Sequence, residues 1–343
     1  MKREEINIKE VAKRAGVSMA TVSRVFNNSS YVSEATRKKV EAVIHETNYR
    51  PNILARELIH KKTALIGLIV YDLVGEGIPR MVNGISETLE VNGYQLLIAT
   101  SKGSKEREQN HFNTFLSKRV DAILFSTRSF TNEHAAFIQR LPVPVVVLLQ
   151  DTKSEPISCV TFDNAGLSYQ ATKALLKLGH QSVALLGGPA NSLTAAERKN
   201  GVIQALTDSN LSFQDDLAVA TNYHIESGYR ETLDLFKKNK PFTAIITVND
   251  GLALGSMKAL AELNYRVPED ISILSLDNTV LADASRLRLA GVSFSYEDLG
   301  KEGAAIVLSH LKNEDNSTQK LKMPYLLDLA ETVAKPKHEK PAY

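Results

Sequence analysis

The residues Ser18-Met19-Ala20-Thr21-Val22-Ser23-Arg24 carry the most specific chemistry in the chain. On a helix they turn Ser18, Met19, Ala20, Ser23 and Arg24 outward and Val22 inward. Small side chains at the start of such a helix let it settle deep in a DNA major groove. Arg24, a turn later, can fork to guanine O6 and N7. Ser18, Thr21 and Asn27 can hold phosphates, as can the backbone N–H groups at the helix start. The same pattern also suits a small helical bundle with an exposed arginine, and periodicity alone does not choose between the two.

Other chemistry is sparse. No zinc-helix pattern, P-loop or Gly-x-Ser-x-Gly elbow occurs. Gly75-Glu76-Gly77 lacks the third glycine of a dinucleotide fingerprint. The eight histidines are scattered, which argues against a metal centre. His180 follows Lys177-Leu178-Gly179, where a cation at a helix end suits the dipole. No cofactor is expected, and nothing at catalytic spacing argues for an enzyme. A single cysteine, Cys159, excludes an intramolecular disulfide and fits a reducing cytoplasm. No apolar run of about 18 residues suggests a membrane span, and no apolar leader follows Met1-Lys2-Arg3.

The net charge of +2 over 343 residues conceals an asymmetry. Residues 1–62 hold 13 Lys and Arg against 7 Glu, a net of +6, while the remainder is −4. A basic head suits a polyanion, although a merely solvated head has the same composition. The acidic body is expected to repel phosphate and to hold an uncharged or weakly charged ligand.

Three short helices must position the basic residues. Asn7 with Glu10 forms a capping-box-like start, and Ile8, Val11, Ala12 and Ala15 form the stripe. Gly16 ends the helix, Ser18 caps the next over about 19–27, and only Gly16 and Val17 separate them. That tight joint predicts a helix-turn-helix. Ser33 caps a third helix carrying Val40, Val43 and Ile44. Pro51 breaks the pattern, and Ile53–Leu58 is helical for only two turns, too short to be stable alone.

From Ala64 the pattern becomes apolar strands alternating with helices. Strands are expected at Ala64–Val70, Tyr94–Ala99, Ala122–Phe125 and Val143–Leu149, then Val160–Phe162, Val183–Leu186, Ala244–Thr247 and Ile271–Leu274. Helices lie near 79–92, 104–118, 131–140, 164–178, 194–208, 225–238 and 249–263. This predicts two doubly wound parallel-sheet lobes facing a cleft, with ligand at the carboxyl ends of the strands.

Residues 6–58, from Ile-Asn-Ile-Lys-Glu-Val-Ala through Thr-Val-Ser-Arg-Val-Phe-Asn-Asn to Asn-Tyr-Arg-Pro-Asn-Ile-Leu-Ala-Arg-Glu-Leu, resemble the headpiece of the lactose/galactose repressor family. Ile66–Val70, Val120–Leu124, Leu178-Gly179-His180, Asn249-Asp250 with Ala253 and Gly255, and Leu276-Asp277-Asn278 resemble its body. The resemblance covers about residues 6–330, and Met19-Ala20 is similar to the catabolite-control branch. It implies an all-α helix-turn-helix headpiece at 1–49, a hinge helix and linker at 50–62, and a periplasmic-binding-protein-like α/β body at 63–335. The lobes are then about 63–162 plus 295–322 and 163–292 plus 323–335, with a tail at 336–343. The function implied is that of a cytoplasmic, homodimeric repressor of carbohydrate-use genes, binding double-stranded operator DNA and a carbohydrate effector.

Residue by residue, the resemblance places Met19, Ala20 and Arg24 on base edges. Ser18, Thr21, Ser23, Asn27, Tyr49 and Asn52 fall at phosphates, and Ala55 and Leu58 in the minor groove. Leu58 then acts as an apolar wedge that kinks the duplex, although a leucine is equally a core residue. Asp72, Ile78, Arg198, Tyr223, Asn249 and Asp277 fall in the effector cleft. An arginine and a carboxylate suit sugar hydroxyls, and an aromatic face suits a sugar ring. Asn249 and Asp250 also suit a helix N-cap, and Asp277 a turn.

Two departures stand out. The family usually carries Asn-Pro-Phe-Phe or similar after the first body strand. Here Leu73–Arg80 follows Asp72, so a pocket aromatic is lost and Ile78 stands near its place. Catabolite-control members bind a serine-phosphorylated phosphocarrier protein partly through an arginine late in the body. This chain has no arginine after Arg288, and Ala305 sits near that position. A small-molecule effector is therefore expected instead of that phosphoprotein.

Overall fold

The computed structural model describes residues 6–26, 31–49, 62–74 and 77–337. The chain divides into two units, Met1–Thr63 and Ala64–Tyr343. Asn27, Asn52, Ala55, Leu58 and the hinge helix expected over 51–58 lie outside the described residues.

The first unit contains α1 (Ile8–Ala15), α2 (Met19–Phe26) and α3 (Glu34–Thr47). Asn7 caps α1 by accepting from Glu10 N–H, and Gly16 closes it at φ +67°. A side chain is disfavoured at that backbone angle, which is why glycine marks the turn. Ser18 Oγ accepts from Thr21 N–H at 3.1 Å and so starts α2. Val11, Ala12, Val22, Val25 and Val40 form the buried core, with Ile8, Phe26, Val43, Ile44 and Tyr49 packed around it. Arg37 reaches from α3 to the Val25 carbonyl and ties the end of α2 down.

The second unit has two six-stranded sheets. The first contains β1 (Leu65–Val70), β2 (Gln95–Thr100), β3 (Ala122–Phe125), β4 (Val145–Leu148), β5 (Cys159–Phe162) and β11 (Lys320–Met323), in the order β11-β5-β4-β3-β1-β2. The second contains β6 (Val183–Gly187), β7 (Ala218–Ala220), β8 (Ala244–Thr247), β9 (Ser272–Ser275), β10 (Ala290–Ser293) and β12 (Leu326–Asp328), in the order β12-β10-β9-β8-β6-β7. Every pairing is parallel except β10 with β12. The inner strands are buried on both faces, which accounts for their unbroken apolar runs.

Helices α4 (Gly77–Val91), α5 (Lys105–Ser117), α6 (Asn132–Ile138) and α12 (Tyr296–Lys312) belong to the first lobe. Helices α7 (Asn164–Lys177), α8 (Leu193–Thr207), α9 (Ile225–Lys237), α10 (Asp250–Glu262) and the short α11 (Val280–Ala284) belong to the second. The chain changes lobe three times: after β5, between β10 and α12, and between β11 and β12. Phe162, Phe294 and Tyr296 gather beside these crossings, with ring centroids 4.1 to 5.6 Å apart.

Close packing of α4 on α12 depends on glycine. A Cβ on Gly84 would lie 2.1 Å from the Glu297 carbonyl oxygen, and one on Gly300 would lie 2.2 Å from that of Met81. Gly84→Ala should destabilise the body by about 1–3 kcal/mol through overpacking. Urea or thermal unfolding measures this, and an unchanged midpoint would contradict the contact.

His180 is not a surface cation at a helix end. It is buried, donates Nε2–H to the Ala334 carbonyl at 2.9 Å, and accepts from the Thr243 hydroxyl at Nδ1, 2.8 Å away. Burial pushes its pKa down. A neutral imidazole that anchors the C-terminal segment replaces the expected dipole interaction.

Candidate functional site

On α2, Val22 and Val25 face the core while Ser18, Met19, Ala20, Ser23 and Arg24 are exposed. Met19 is 51% exposed. These exposed residues are the ones the sequence turns outward. Thr21 is half-buried and its hydroxyl pairs with that of Ser18 at 2.9 Å. Tyr49, expected at phosphate, packs its ring edge-on against Phe26, and burial raises its phenol pKa.

A concavity lies between the lobes, at the carboxyl ends of their strands. Its lining includes all six residues expected for an effector: Asp72, Ile78, Arg198, Tyr223, Asn249 and Asp277. The cavity is about 250 Å³, at the small end of ligand sites.

Arg198 on α8 is 5% exposed. It donates to Asn164 Oδ1 at 3.2 Å and to the Val248 carbonyl. Asn249 uses its side chain locally, accepting from Leu252 N–H as the cap of α10 and donating to the Tyr223 carbonyl at 3.0 Å. The capping alternative is therefore realised, and one amide N–H is left over. Tyr223 holds φ +70° and donates its hydroxyl to Ser192 Oγ at 3.1 Å. Leu149, also on the cleft wall, holds φ +66°. Positive φ at two bulky residues is backbone strain gathered around the cleft.

Asp277 follows β9, its N–H bonded to Ser275 Oγ at 3.2 Å. Burial, then the charge of Asp250, pushes its carboxyl up to about 8, with Arg198 partly opposing. Asp250 is itself raised by burial, and it accepts from Thr279 N–H and the Thr279 hydroxyl at 2.6 and 2.8 Å, anchoring α11. The unfolded Asp277 carboxyl titrates near 3.8. Between that value and about 8 the folded protein keeps a proton that the unfolded chain has lost. Stability should therefore fall as pH rises through this window. A ligand hydroxyl donating to Asp277 favours the ionised form, so its affinity should rise over the same window with proton release. Calorimetry in buffers of different ionisation enthalpy measures that proton; none released would contradict a direct contact.

The cleft also holds Tyr71, Arg128, Gln150, Ser192, Thr194 and Tyr296, which motif reading did not single out. Tyr71, Arg128 and Gln150 follow β1, β3 and β4, and Tyr296 follows β10, so the rule placing ligands at strand carboxyl ends was the available signal. Two other aromatics line the cleft instead of one near Ile78: Tyr71, directly after β1, and Tyr296, after β10. Two hydrogen bonds span the lobes here: Leu193 N–H to the Arg128 carbonyl at 3.0 Å, and Gln150 Nε2 to Thr194 Oγ1 at 2.9 Å.

A helix-turn-helix unit followed by a two-lobed body with a polar cleft defines an effector-binding transcriptional regulator. Residues 7–52 match bacterial regulatory proteins of the lacI family. Residues 63–332 match the periplasmic binding proteins and sugar binding domain of the LacI family. The chain belongs to the LacI family of bacterial transcriptional regulators. It is 30% identical over 329 residues to catabolite control protein A of Priestia megaterium, covering 96% of this chain and 99% of that one. It is 31% identical over 320 residues to the transcriptional regulator DegA of Bacillus subtilis, covering 92% and 95%. A lac repressor dimer bound to operator and an anti-inducer superposes with TM-score 0.87 at 28% identity, covering 96% and 100%. A complex of the regulator CelR with cellobiose gives 0.72 at 25% identity, covering 95% and 99%. No helix among the described residues is long and apolar enough to cross a membrane.

Proposed function

We propose that the protein is a homodimeric repressor of carbohydrate-use genes whose operator affinity is set by a sugar-like effector bound between the lobes. The observation that carries this reading is the convergence of Asp72, Ile78, Arg198, Tyr223, Asn249 and Asp277 on one cleft in a chain headed by an exposed Met19-Ala20…Arg24 helix face. Arg198 and Asp277 bind effector hydroxyls by charged hydrogen bonds. Met19, Ala20 and Arg24 meet base edges, while Ser18, Thr21 and Ser23 serve the phosphates. The effector is bound and released unchanged. The protein works where the operator is, in the bacterial cytoplasm.

Closure of the lobes around the effector moves one lobe relative to the other. The three chain crossings and the two interlobe hydrogen bonds give this motion its hinge and its latch. The motion changes operator affinity, as a coupling free energy of typically about 1–3 kcal/mol. Regulation by a phosphocarrier protein fits less well, because Ala305 presents only a methyl group on an exposed position of α12. A thermal-shift screen of sugars, followed by operator binding with each hit, tests the reading. A hit that shifts both melting and operator affinity supports it. Operator binding that responds only to the serine-phosphorylated phosphocarrier would overturn it.

A further inference from the structure

The cleft contains two guanidinium groups, and neither forms an ion pair among the described residues. Arg198 is buried with two neutral acceptors and retains free N–H donors. Arg128 lays its guanidinium on the face of Tyr71, 3.5 Å from the centroid, and 5.7 Å from that of Tyr223. Among the described residues no hydrogen bond uses its N–H groups. The backbone beneath it is fixed from both sides. The Arg128 carbonyl accepts from Leu193 N–H, and the neighbouring Thr127 hydroxyl donates to Glu108 Oε1 at 2.8 Å. Glu108 Oε2 in turn meets His134 Nε2 at 3.0 Å. The cation is thus held on a rigid loop with its donors unspent.

Neither cleft carboxylate, Asp72 or Asp277, forms an ion pair with Arg128 among the described residues: Asp72 Oδ1 accepts from Val74 N–H at 3.1 Å, and Asp277 lies in the field of Arg198. Gln150, 4% exposed on the same wall, has no partner for Oε1. Arg128 is half-buried with its N–H donors unused among the described residues, and a buried acceptor without a donor, as at Gln150 Oε1, is costly. An anion and a hydroxyl answer these two needs, and the small cavity limits how large their carrier can be.

Building on the effector reading, we propose that the effector is an anionic polyol of monosaccharide size, with its phosphoester or carboxylate on Arg128 and its hydroxyls on Gln150 Oε1 and Asp277. The net −4 of the body outside residues 1–62 is therefore not the charge of its cleft.

The test is calorimetry on the full chain with matched probes: glucose 6-phosphate beside glucose, gluconate beside glucitol, galacturonate beside galactose, and inorganic phosphate alone. A charged probe should bind at least about tenfold more tightly than its neutral parent. The preference should collapse in Arg128→Gln and partly return in Arg128→Lys, which keeps the charge. Which charged probe binds distinguishes phosphoester from carboxylate. A neutral parent binding as tightly as its charged partner, with loss in Asp277→Asn, would overturn the anion while leaving the effector reading intact. Inorganic phosphate binding as tightly as glucose 6-phosphate would overturn the polyol. Binding by no charged probe, alongside a neutral sugar from the melting screen that does bind, would overturn this inference and leave the effector reading intact.

Discussion

Replacing Asp277 by asparagine should abolish the response to effector while the protein continues to fold and to bind operator. The carboxylate offers ligand hydroxyls a charged acceptor, worth roughly 1.5–3 kcal/mol per bond. Two such bonds lost correspond to an affinity drop of roughly 100-fold or more. Stability should not suffer. The ionised group is opposed by burial and by Asp250, so asparagine removes a penalty that grows with pH. The variant should melt no lower than the wild type in mildly alkaline buffer, which separates loss of contact from loss of fold. Normal effector binding by the variant would displace Asp277 from the site.

Replacing Arg24 by alanine should have the second large effect, on DNA. A bidentate arginine–guanine contact discriminates by about 1–3 kcal/mol. In a dimer on a near-palindromic operator the loss occurs in both half-sites, so specific binding should weaken by about 2–6 kcal/mol if the contacts are additive. Preference should relax at one base position per half-site. Binding to operators randomised at each position measures this. A uniform loss on every sequence would instead make Arg24 a phosphate contact.

How far the sequence anticipates the molecule depends on where each signal resides. The headpiece helices are legible because their caps, their terminating glycine and their apolar stripe are all local: Asn7, Gly16, Ser18 and Ser33 each act within four residues. Most inner strands are legible because burial on both faces demands unbroken apolar runs such as Ala122–Phe125; the inner strand β10, Ala-Gly-Val-Ser, lacks such a run and is not anticipated. The edge strands β7, β11 and β12 are not legible either. Lys320–Met323 is largely exposed and joins its sheet through backbone pairing with Cys159–Phe162, which leaves little trace in side-chain type.

The cleft divides in the same way. Asp277 stands in the family-like run Leu276-Asp277-Asn278, and Arg198 is placed by its position alone. Arg128 stands in no motif, and its interest comes from what it lacks among the described residues, an ion-pair partner. That property belongs to the neighbours brought by β1, β4 and α8, residues distant in sequence. His180 makes the same point in reverse. Its helix-end position is local and suggests a cation, whereas the Thr243 and Ala334 contacts that hold it neutral lie more than 60 residues away.

The central claim is that the cleft and the DNA-reading helix are coupled. The direct measurement is fluorescence anisotropy of a labelled operator titrated with protein, at fixed salt, with and without a saturating cleft ligand. Coupling of the two sites predicts dissociation constants differing by about 5- to 150-fold, and the same factor between ligand affinities with and without operator. In Asp277→Asn the factor should fall to one at the same ligand concentration. A wild-type operator affinity that stays the same when the cleft is demonstrably full would contradict it.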